Sequence, residues 1–307
     1  MTKQRMKKGI IFDIKRYAIH DGPGIRTTVF FKGCPLHCPW CHNPEGQEEK
    51  PEIMWQASRC ALECTACVSV CPQMAVEKKA RIVLIDRQKC DLCGKCVEAC
   101  LYEALEIVGR EVTVEEVMAE VEKDRIFYEE SGGGVTFSGG EPLFQPDFLE
   151  ALLEACRQRN IQTAIDTCGY VSPEVMERIA QKVDLFLYDL KIIDDRKHRE
   201  YTGVSNKLIF ENLKMLLKKK KPVIIRIPLI SGINDDQPNI KATVNFLYSL
   251  NSLKEVNLLP YHKGGDEKFR KLGKQNPRPE FRPSSETKIK KIKKMFESHG
   301  FSVKIGG

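Results

Sequence analysis

The sequence predicts an α/β fold: a partial (β/α)6 barrel of the TIM type, interrupted by an inserted cysteine-rich segment. Three observations lead there. From residue 113 to the end, apolar strand-like runs alternate with helix-like stretches, and repeated strand–helix units build parallel sheets with right-handed crossovers. Counted from Thr27 there are six main units, enough for part of a barrel and too few for a closed eight-fold one. Between residues 51 and 108 the alternation stops, and eight cysteines fall into two runs. The expected organisation is a core made of residues 1–50 and 109–307, with 51–108 inserted.

Taken in order, residues 9–17 (Gly-Ile-Ile-Phe-Asp-Ile-Lys-Arg-Tyr) read as a strand rich in branched and aromatic side chains. In His20-Asp21-Gly22-Pro23-Gly24-Ile25-Arg26, two glycines around a proline make a fixed turn that lets backbones approach closely. Thr27–Phe31 is the next strand, and it runs into Cys34-Pro-Leu-His-Cys38-Pro-Trp-Cys41. Beyond the insert, Thr113-Val-Glu-Glu116 is a capping box, and Val114, Val117, Met118 and Val121 follow at helical spacing. Gly132–Gly134 break that helix, and Val135–Ser138 is a short strand closed by Gly139-Gly140-Glu141-Pro142. Phe148–Arg159 is a helix and Gln162–Thr167 a strand, and Ser172-Pro173 starts another helix. Strands follow at Asp184–Lys191, Val223–Ile230 and Glu255–Pro260, with helices at Phe210–Leu217, Ile240–Leu250 and Ser285–Ser298 and a closing strand at Phe301–Ile305. The cysteine triplet, the Gly139–Pro142 turn, Asp166-Thr167, Asp189-Leu190-Lys191, Arg226 and Tyr261-His262 all fall at or near strand carboxyl ends. Active sites gather there in such sheets.

Composition narrows the class. Hydrophobic content of 42% and charge of 30% over 307 residues are those of a soluble globular protein. No apolar run approaches the roughly 20 residues of a membrane span. The basic N-terminus leads into a strand-like segment and not a signal-peptide core, so a cytoplasmic location is expected. Disulfides are rare there, and 13 cysteines, eleven of them in three tight groups, point to metal ligands. Cys156 and Cys168 stand apart, the first expected in the core and the second as a passive wall residue near the site. The net charge of +7 is spread along the chain, with runs at 218–221 and 288–294 read as solvated helix faces. Nucleic-acid motifs are absent. A monomer without membrane or nucleic-acid partners is expected.

Thiolates at short spacing are soft ligands for zinc or iron–sulfur clusters. A closed [4Fe–4S] site needs four cysteines, and Cys34, Cys38 and Cys41 have no fourth nearby that is not better assigned elsewhere. One iron is then left open to bind something else. A zinc knuckle is the alternative for this spacing taken alone. The stretch resembles the cluster motif of the radical S-adenosylmethionine (radical SAM) superfamily, in which the amino and carboxylate groups of SAM chelate that open iron. Asp21-Gly22-Pro23-Gly24-Ile25-Arg26 resembles the signature of the glycyl radical enzyme activating enzymes, where it lies next to the partner's glycine loop.

The resemblance implies roles for matching positions. Trp40 stands where the family has an aromatic near the adenine, and Gly139-Gly140-Glu141-Pro142 matches the element that binds the SAM amino group through backbone groups. Asp166-Thr167 and Asp189-Leu190-Lys191 look like the SAM-binding and cation-site segments, with a monovalent cation near Asp166 and Asp189 and Lys191 neutralising a carboxylate. Arg226, charged within an apolar strand, calls for an anionic partner. His262 resembles the family's histidine beside the adenosyl group. Cys34, Cys38, Cys41, Lys191 and Arg226 are the positions expected to serve catalysis.

The two runs of the insert, C-x3-C-x2-C-x3-C and C-x2-C-x2-C-x3-C, form an internal repeat resembling bacterial two-cluster ferredoxins. In that fold the fourth cysteine of each run crosses to the other cluster. The resemblance thus assigns one cluster to Cys60, Cys64, Cys67 and Cys100 and another to Cys90, Cys93, Cys96 and Cys71, making three [4Fe–4S] clusters in all. The first run carries one extra residue between its first two cysteines.

The activity implied is reductive cleavage of SAM to methionine and a 5′-deoxyadenosyl radical, which takes a hydrogen atom from a glycine Cα of a partner glycyl radical enzyme. An electron donor such as flavodoxin or ferredoxin is implied as well. A radical SAM enzyme acting on a small molecule, and an iron–sulfur electron-transfer protein, are the alternatives.

Overall fold

The computed structural model describes residues 7–80, 82–274 and 281–306. Its strands are β1 (Lys8–Ala18), β2 (Arg26–Phe31), β3 (Glu52–Trp55), β4 (Val76–Lys79), β5 (Ile82–Ile85), β6 (Leu105–Val108), β7 (Arg110–Thr113), β8 (Gly134–Gly139), β9 (Thr163–Thr167), β10 (Leu185–Asp189), β11 (Val223–Leu229), β12 (Glu255–Pro260) and β13 (Ser302–Ile305). Nine of them form one sheet in the order β13-β12-β11-β10-β9-β8-β2-β1-β7. From β2 to β13 every pairing is parallel. From β2 to β13 the order advances with the chain without reversing, unlike a doubly wound sheet, and the outer strands β13 and β7 do not pair with each other, so the sheet stays open. Six units lead from β2 into the seventh parallel strand, β13. On the other flank β1 is antiparallel to both β2 and β7.

Alternation along the strands sorts the two faces. Phe31, Phe137, Ile165, Tyr188, Ile225 and Leu258 join the main apolar core. The helices Val114–Glu122, Pro146–Gln158, Pro173–Ala180, Lys207–Lys218, Gln237–Ser249 and Glu286–Glu297 bury their stripes in that same core. Intervening positions carry Thr28, Thr136, Ser138, Asp166, Asp189 and Arg226 onto the opposite face. The capping box forms as read, with Glu116 N–H donating to Thr113 Oγ1 and Thr113 N–H to the Glu116 carboxylate. Ser172 and Ser285 cap their helices.

Element ends shift by one to three residues; β10 ends at Asp189 and β11 at Leu229, so Lys191 stands on the loop beyond the strand. The helix expected to run on to Gly132 is divided into Val114–Glu122 and Arg125–Ser131, and the helices Asp195–Thr202 and Gly264–Lys271 were not anticipated. The segment Asp195–Thr202 (Asp-Arg-Lys-His-Arg-Glu-Tyr-Thr) has no apolar stripe to announce it.

The insert has its own small core of Ile53, Cys67, Val76, Val83, Cys96 and Leu105. Its antiparallel pairs are β3–β6 and β4–β5, and the chain enters and leaves side by side, Glu52 opposite Val108. Among the described residues no helix is long and apolar enough to cross a membrane.

Candidate functional site

At the carboxyl ends of the parallel strands lies a cavity of 180 Å3. The loop leaving β2 brings Cys34, Cys38, Trp40 and Cys41 to it; β8 brings Ser138, Gly139 and Gly140; β9 brings Asp166 and Thr167; β10 and β11 bring Asp189, Lys191 and Arg226.

Backbone packing sets the cysteine loop. Gly33 N–H donates to Gly46 O (2.8 Å) and Cys34 N–H to Gln47 O (3.0 Å), folding the loop back on itself. Gly140 N–H donates to Phe31 O and Glu141 N–H to Gly33 O, both at 2.8 Å, so the two motifs are stitched backbone to backbone. A Cβ on Gly140 would sit 2.3 Å from Gly46 O and 2.4 Å from Gly33 O, so only glycine permits this approach. His37 N–H donates to Thr202 O (2.9 Å), pinning the loop to the Asp195–Thr202 helix. Trp40 is buried between Tyr201 (ring centroids 5.7 Å) and Phe281 (6.0 Å).

The three thiols pack into an apolar wall with Leu36, Ile230 and Tyr261, Cys38 buried and Cys34 and Cys41 half-buried. Burial pushes all three up, Cys38 to about 12. Thiolates form here only if positive charge arrives with them, as it does when a metal binds. Among the described residues no three His, Cys, Asp or Glu side chains converge as ligands of one ion; cysteines on a cubane each hold a different iron.

Opposite them is a balanced charge set. Asp189 accepts from Lys191 Nζ at 2.8 Å, and Asp166 Oδ2 lies 3.4 Å from Arg226 Nη1 while accepting from Ser138 Oγ at 2.8 Å. Burial pushes the Asp166 carboxyl up against the pull of Arg226. Burial would lower Lys191 and Arg226, but the facing aspartates outweigh it and both are raised. Asp189 Oδ1 and the Nε and Nη1 of Arg226 are buried without a hydrogen-bond partner. Two cations, two anions and unspent donors and acceptors fit a zwitterionic ligand, and three thiols on one apolar wall fit an iron–sulfur cluster.

Other expected positions lie elsewhere. Glu141 is 1% exposed and turned under the cavity floor, accepting from Thr167 Oγ1 (2.7 Å), Cys168 N–H (2.8 Å) and Leu143 N–H (3.1 Å); its backbone belongs to the site but its carboxylate braces β8 to β9. His262 is exposed and stacks on the cavity residue His42 at 3.9 Å, one ring away from the cavity. Its neighbour Tyr261 lines the wall instead, as do Ser138 and Asn43; the strand-end positions of Ser138 and Tyr261 were the available signal. Cys168 is a wall residue and Cys156 is in the core, as expected.

The Asp21–Arg26 turn joins β1 to β2 at the amino ends of the parallel strands. Asp21 accepts from Thr28 Oγ1 (2.7 Å), and its carbonyl accepts from Thr136 Oγ1 (2.6 Å). Pro23 is exposed and Gly22 and Gly24 are half-buried. Arg26 departs from the expected partner contact: it is 2% exposed, and its guanidinium is spent on Thr136 Oγ1 and Val135 O, both at 2.7 Å, and Pro23 O at 3.1 Å. It holds the turn from beneath.

In the insert, a small cavity is lined by Cys60, Cys64, Cys67 and Cys100 together with Trp55 and Leu105. Cys96 lies in the field of Cys90 and Cys71. The two run ends repeat one another: Ala75 N–H donates to Cys71 Sγ and Ala104 N–H to Cys100 Sγ, each at 3.2 Å.

Residues 28–244 match the radical SAM superfamily. The chain is 47% identical over 301 residues to the trans-4-hydroxy-L-proline dehydratase activating enzyme of Clostridioides difficile, covering 97% of this chain and 99% of that one. It is 42% identical over 305 residues to the choline trimethylamine-lyase activating enzyme of Oleidesulfovibrio alaskensis, covering 97% and 98%. In fold alone it is similar to a radical SAM methyltransferase from Sphaerobacter thermophilus, at 15% identity and a TM-score of 0.54 over 91% of this chain and 66% of that one. The three-thiol cavity at the strand ends and the full-length relatives agree: the chain belongs to the radical SAM superfamily and, within it, to the glycyl radical enzyme activating enzymes.

Proposed function

We propose that Cys34, Cys38 and Cys41 hold a [4Fe–4S] cluster, that SAM occupies the adjoining cavity, and that together they activate a glycyl radical enzyme. When bound, the cluster and SAM supply one-electron reductive chemistry whose outcome is loss of a hydrogen atom from a glycine Cα of the partner. The carrying observation is the shared cavity, where three thiols face Arg226 and Asp189 with hydrogen-bonding atoms still unspent.

The chain's own residues then have defined tasks. Arg226 and Lys191 take up negative charge, and Asp166, Asp189 and Thr167 face the positive end of the ligand. The glycines of β8 leave room for it at backbone distance, and Trp40, with its packed aromatic neighbours, excludes water from the adenine side. His262 acts through His42. A monovalent cation belongs beside Asp166 and Asp189, where Asp189 Oδ1 is unspent.

The finer assignments rest on more local support. Residues 51–108 are taken as a ferredoxin-like insert with two further clusters, Cys60/Cys64/Cys67/Cys100 and Cys90/Cys93/Cys96/Cys71. The four-cysteine cavity supports the first set, and the matched amide–sulfur bonds support both. A one-electron donor protein feeds the chain, which acts as a monomer. The Asp21–Gly24 turn, whose Asp21 acts on Asp166 and Arg226 from the amino ends of the strands, meets the partner's glycine loop, flanked by exposed Tyr17, Ile19 and Ile126.

Anaerobic reconstitution with iron and sulfide, followed by SAM and reductant, tests this. 5′-Deoxyadenosine should accumulate, and electron spin resonance should detect a glycyl radical on a glycyl radical enzyme supplied as partner. Nucleoside release without a protein radical would point to a small-molecule substrate, and no cleavage of SAM would sink the reading.

A further inference from the structure

The internal repeat of the insert is broken at one informative place. Aligning Cys71 with Cys100 puts Ala75 on Ala104, Val76 on Leu105 and Lys78 on Ile107. Val76 and Leu105 are both buried in the insert's core, and Ala75 and Ala104 make the same bond to sulfur, so the alignment is spatial as well. Lys78 and Ile107 then stand over the two cysteine loops, and their chemistry is opposite. Ile107 covers Gly94 of the second run, in van der Waals range at 3.6 Å of where its Cβ would be. Lys78 Nζ donates to Ala61 O (2.6 Å), Leu62 O (2.8 Å) and Cys64 O (2.7 Å).

An ammonium has three N–H donors, and all three are spent on the loop Ala61–Cys64. That is the loop with the extra residue. The added peptide leaves carbonyls that the shorter loop does not have, and the lysine gathers them. A fixed positive charge thereby rests on the backbone of a proposed cluster ligand. At the second loop the fixed charge is negative: Asp91 accepts from Cys93 N–H (3.1 Å) and from Gln73 Nε2 (3.1 Å). Arg59 and Lys89 precede the first cysteine of each run as a matched pair; Glu63 and Lys95 oppose the difference but extend into water, which screens them, whereas Asp91, though exposed, is tied to Cys93 N–H.

A cluster's potential follows its net charge, hydrogen bonding and surroundings. Reduction adds negative charge, so a fixed cation raises the potential and a fixed anion lowers it. We propose that Lys78 and Asp91 make the two insert cubanes unequal, so that an electron from the external one-electron donor rests on the Cys60/Cys64/Cys67/Cys100 cluster in preference to the Cys90/Cys93/Cys96/Cys71 cluster. Lys78 is a positioning and tuning residue, not a ligand. The inference relies on the two-cluster reading of the insert.

The full-length chain with Cys34, Cys38 and Cys41 replaced by alanine leaves the insert clusters alone in the spectrum. Potentiometry read by electron spin resonance should resolve two couples in it. Lys78→Ile should lower the higher couple and leave the lower one in place. The expected loss is on the order of tenfold in electron partition, about 59 mV for one electron. Lys78→Arg should retain most of the separation, and Asp91→Asn should raise the lower couple. Iron and sulfide for fewer than two insert cubanes in the parent chain would overturn the two-cluster reading and this inference with it. A full complement with couples unmoved by Lys78→Ile, or moved equally, would overturn this inference alone. If Lys78→Ile loads one cubane only, an unmoved lower couple in Asp91→Asn overturns it.

Discussion

Arg226 illustrates what a residue's surroundings add to its identity. A lone arginine in Ile-Ile-Arg-Ile-Pro calls for an anion, and Asp166 at 3.4 Å partly answers. Its Nε and Nη1 nevertheless stay buried without a hydrogen bond, a state that costs free energy until a ligand arrives. Arg226→Leu should therefore weaken SAM binding by about 10- to 100-fold, the worth of a charged hydrogen bond, with cluster iron unchanged; anaerobic equilibrium dialysis measures both. Glu141 carries the contrary lesson. The Gly-Gly-Glu-Pro turn was expected to meet the ligand through backbone groups, and the side chain is used otherwise: its carboxylate takes three protein donors. Glu141→Ala leaves buried donors unpaired and should cost roughly 1–3 kcal/mol for each one that stays unsatisfied, read by urea unfolding of the apo-protein. Ser138 and Tyr261 were visible in the sequence as strand-end residues, but nothing there distinguished them from their neighbours.

At the scale of elements, the parallel strands and most of the helices were legible because alternation and 3.6-residue spacing are local signals. The Asp195–Thr202 helix was not, because it is held from its ends. Asp194 accepts from Lys197 N–H at 2.7 Å, and Asp195 accepts from Ser205 Oγ (2.6 Å), Asn206 N–H (3.0 Å) and Arg199 Nε (3.0 Å). The Ser205 hydrogen bond, then those of Arg199 and Asn206, hold the Asp195 carboxyl down to about 2. A depressed carboxyl contributes stability above its unfolded value near 4, and that contribution is lost as pH falls toward 2. Asp195→Asn should thus be less stable than the parent at neutral pH, with the gap closing between about pH 4 and pH 2. Thermal unfolding across that range would expose the sign. A constant gap would mean that the amide geometry, not the charge, is what the helix needs. Since Thr202 O anchors His37, this short polar helix also steadies the cysteine loop.

At the scale of the whole molecule, Glu52 joins the insert to the core. It accepts from buried Lys32 (3.3 Å) at the exit of β2, from Arg87 (3.1 Å) in the insert and from Lys274 (3.0 Å) just past the helix Gly264–Lys271. Lys32 is completely buried, and burial pulls its ammonium down against Glu52. Removing one partner from a buried ion network typically costs about 3–5 kcal/mol. Glu52→Ala should therefore lower stability on that order and open the neck, so that limited proteolysis releases the insert faster than in the parent; unchanged cleavage would mean that β3–β6 pairing alone holds it. By itself the sequence determined the ligand classes and the order of the units, because cysteine spacing and strand–helix alternation are short-range properties. It also determined the resemblance, carried by tight motifs such as Cys34–Cys41 and Asp21–Arg26. Only the tertiary structure decided which side chains face the cavity. It turned Glu141 and Arg26 inward, set His262 behind His42, and brought Cys100 beside Cys60. Those choices depend on which distant backbone lies within hydrogen-bonding or packing distance, and no local pattern carries that distance.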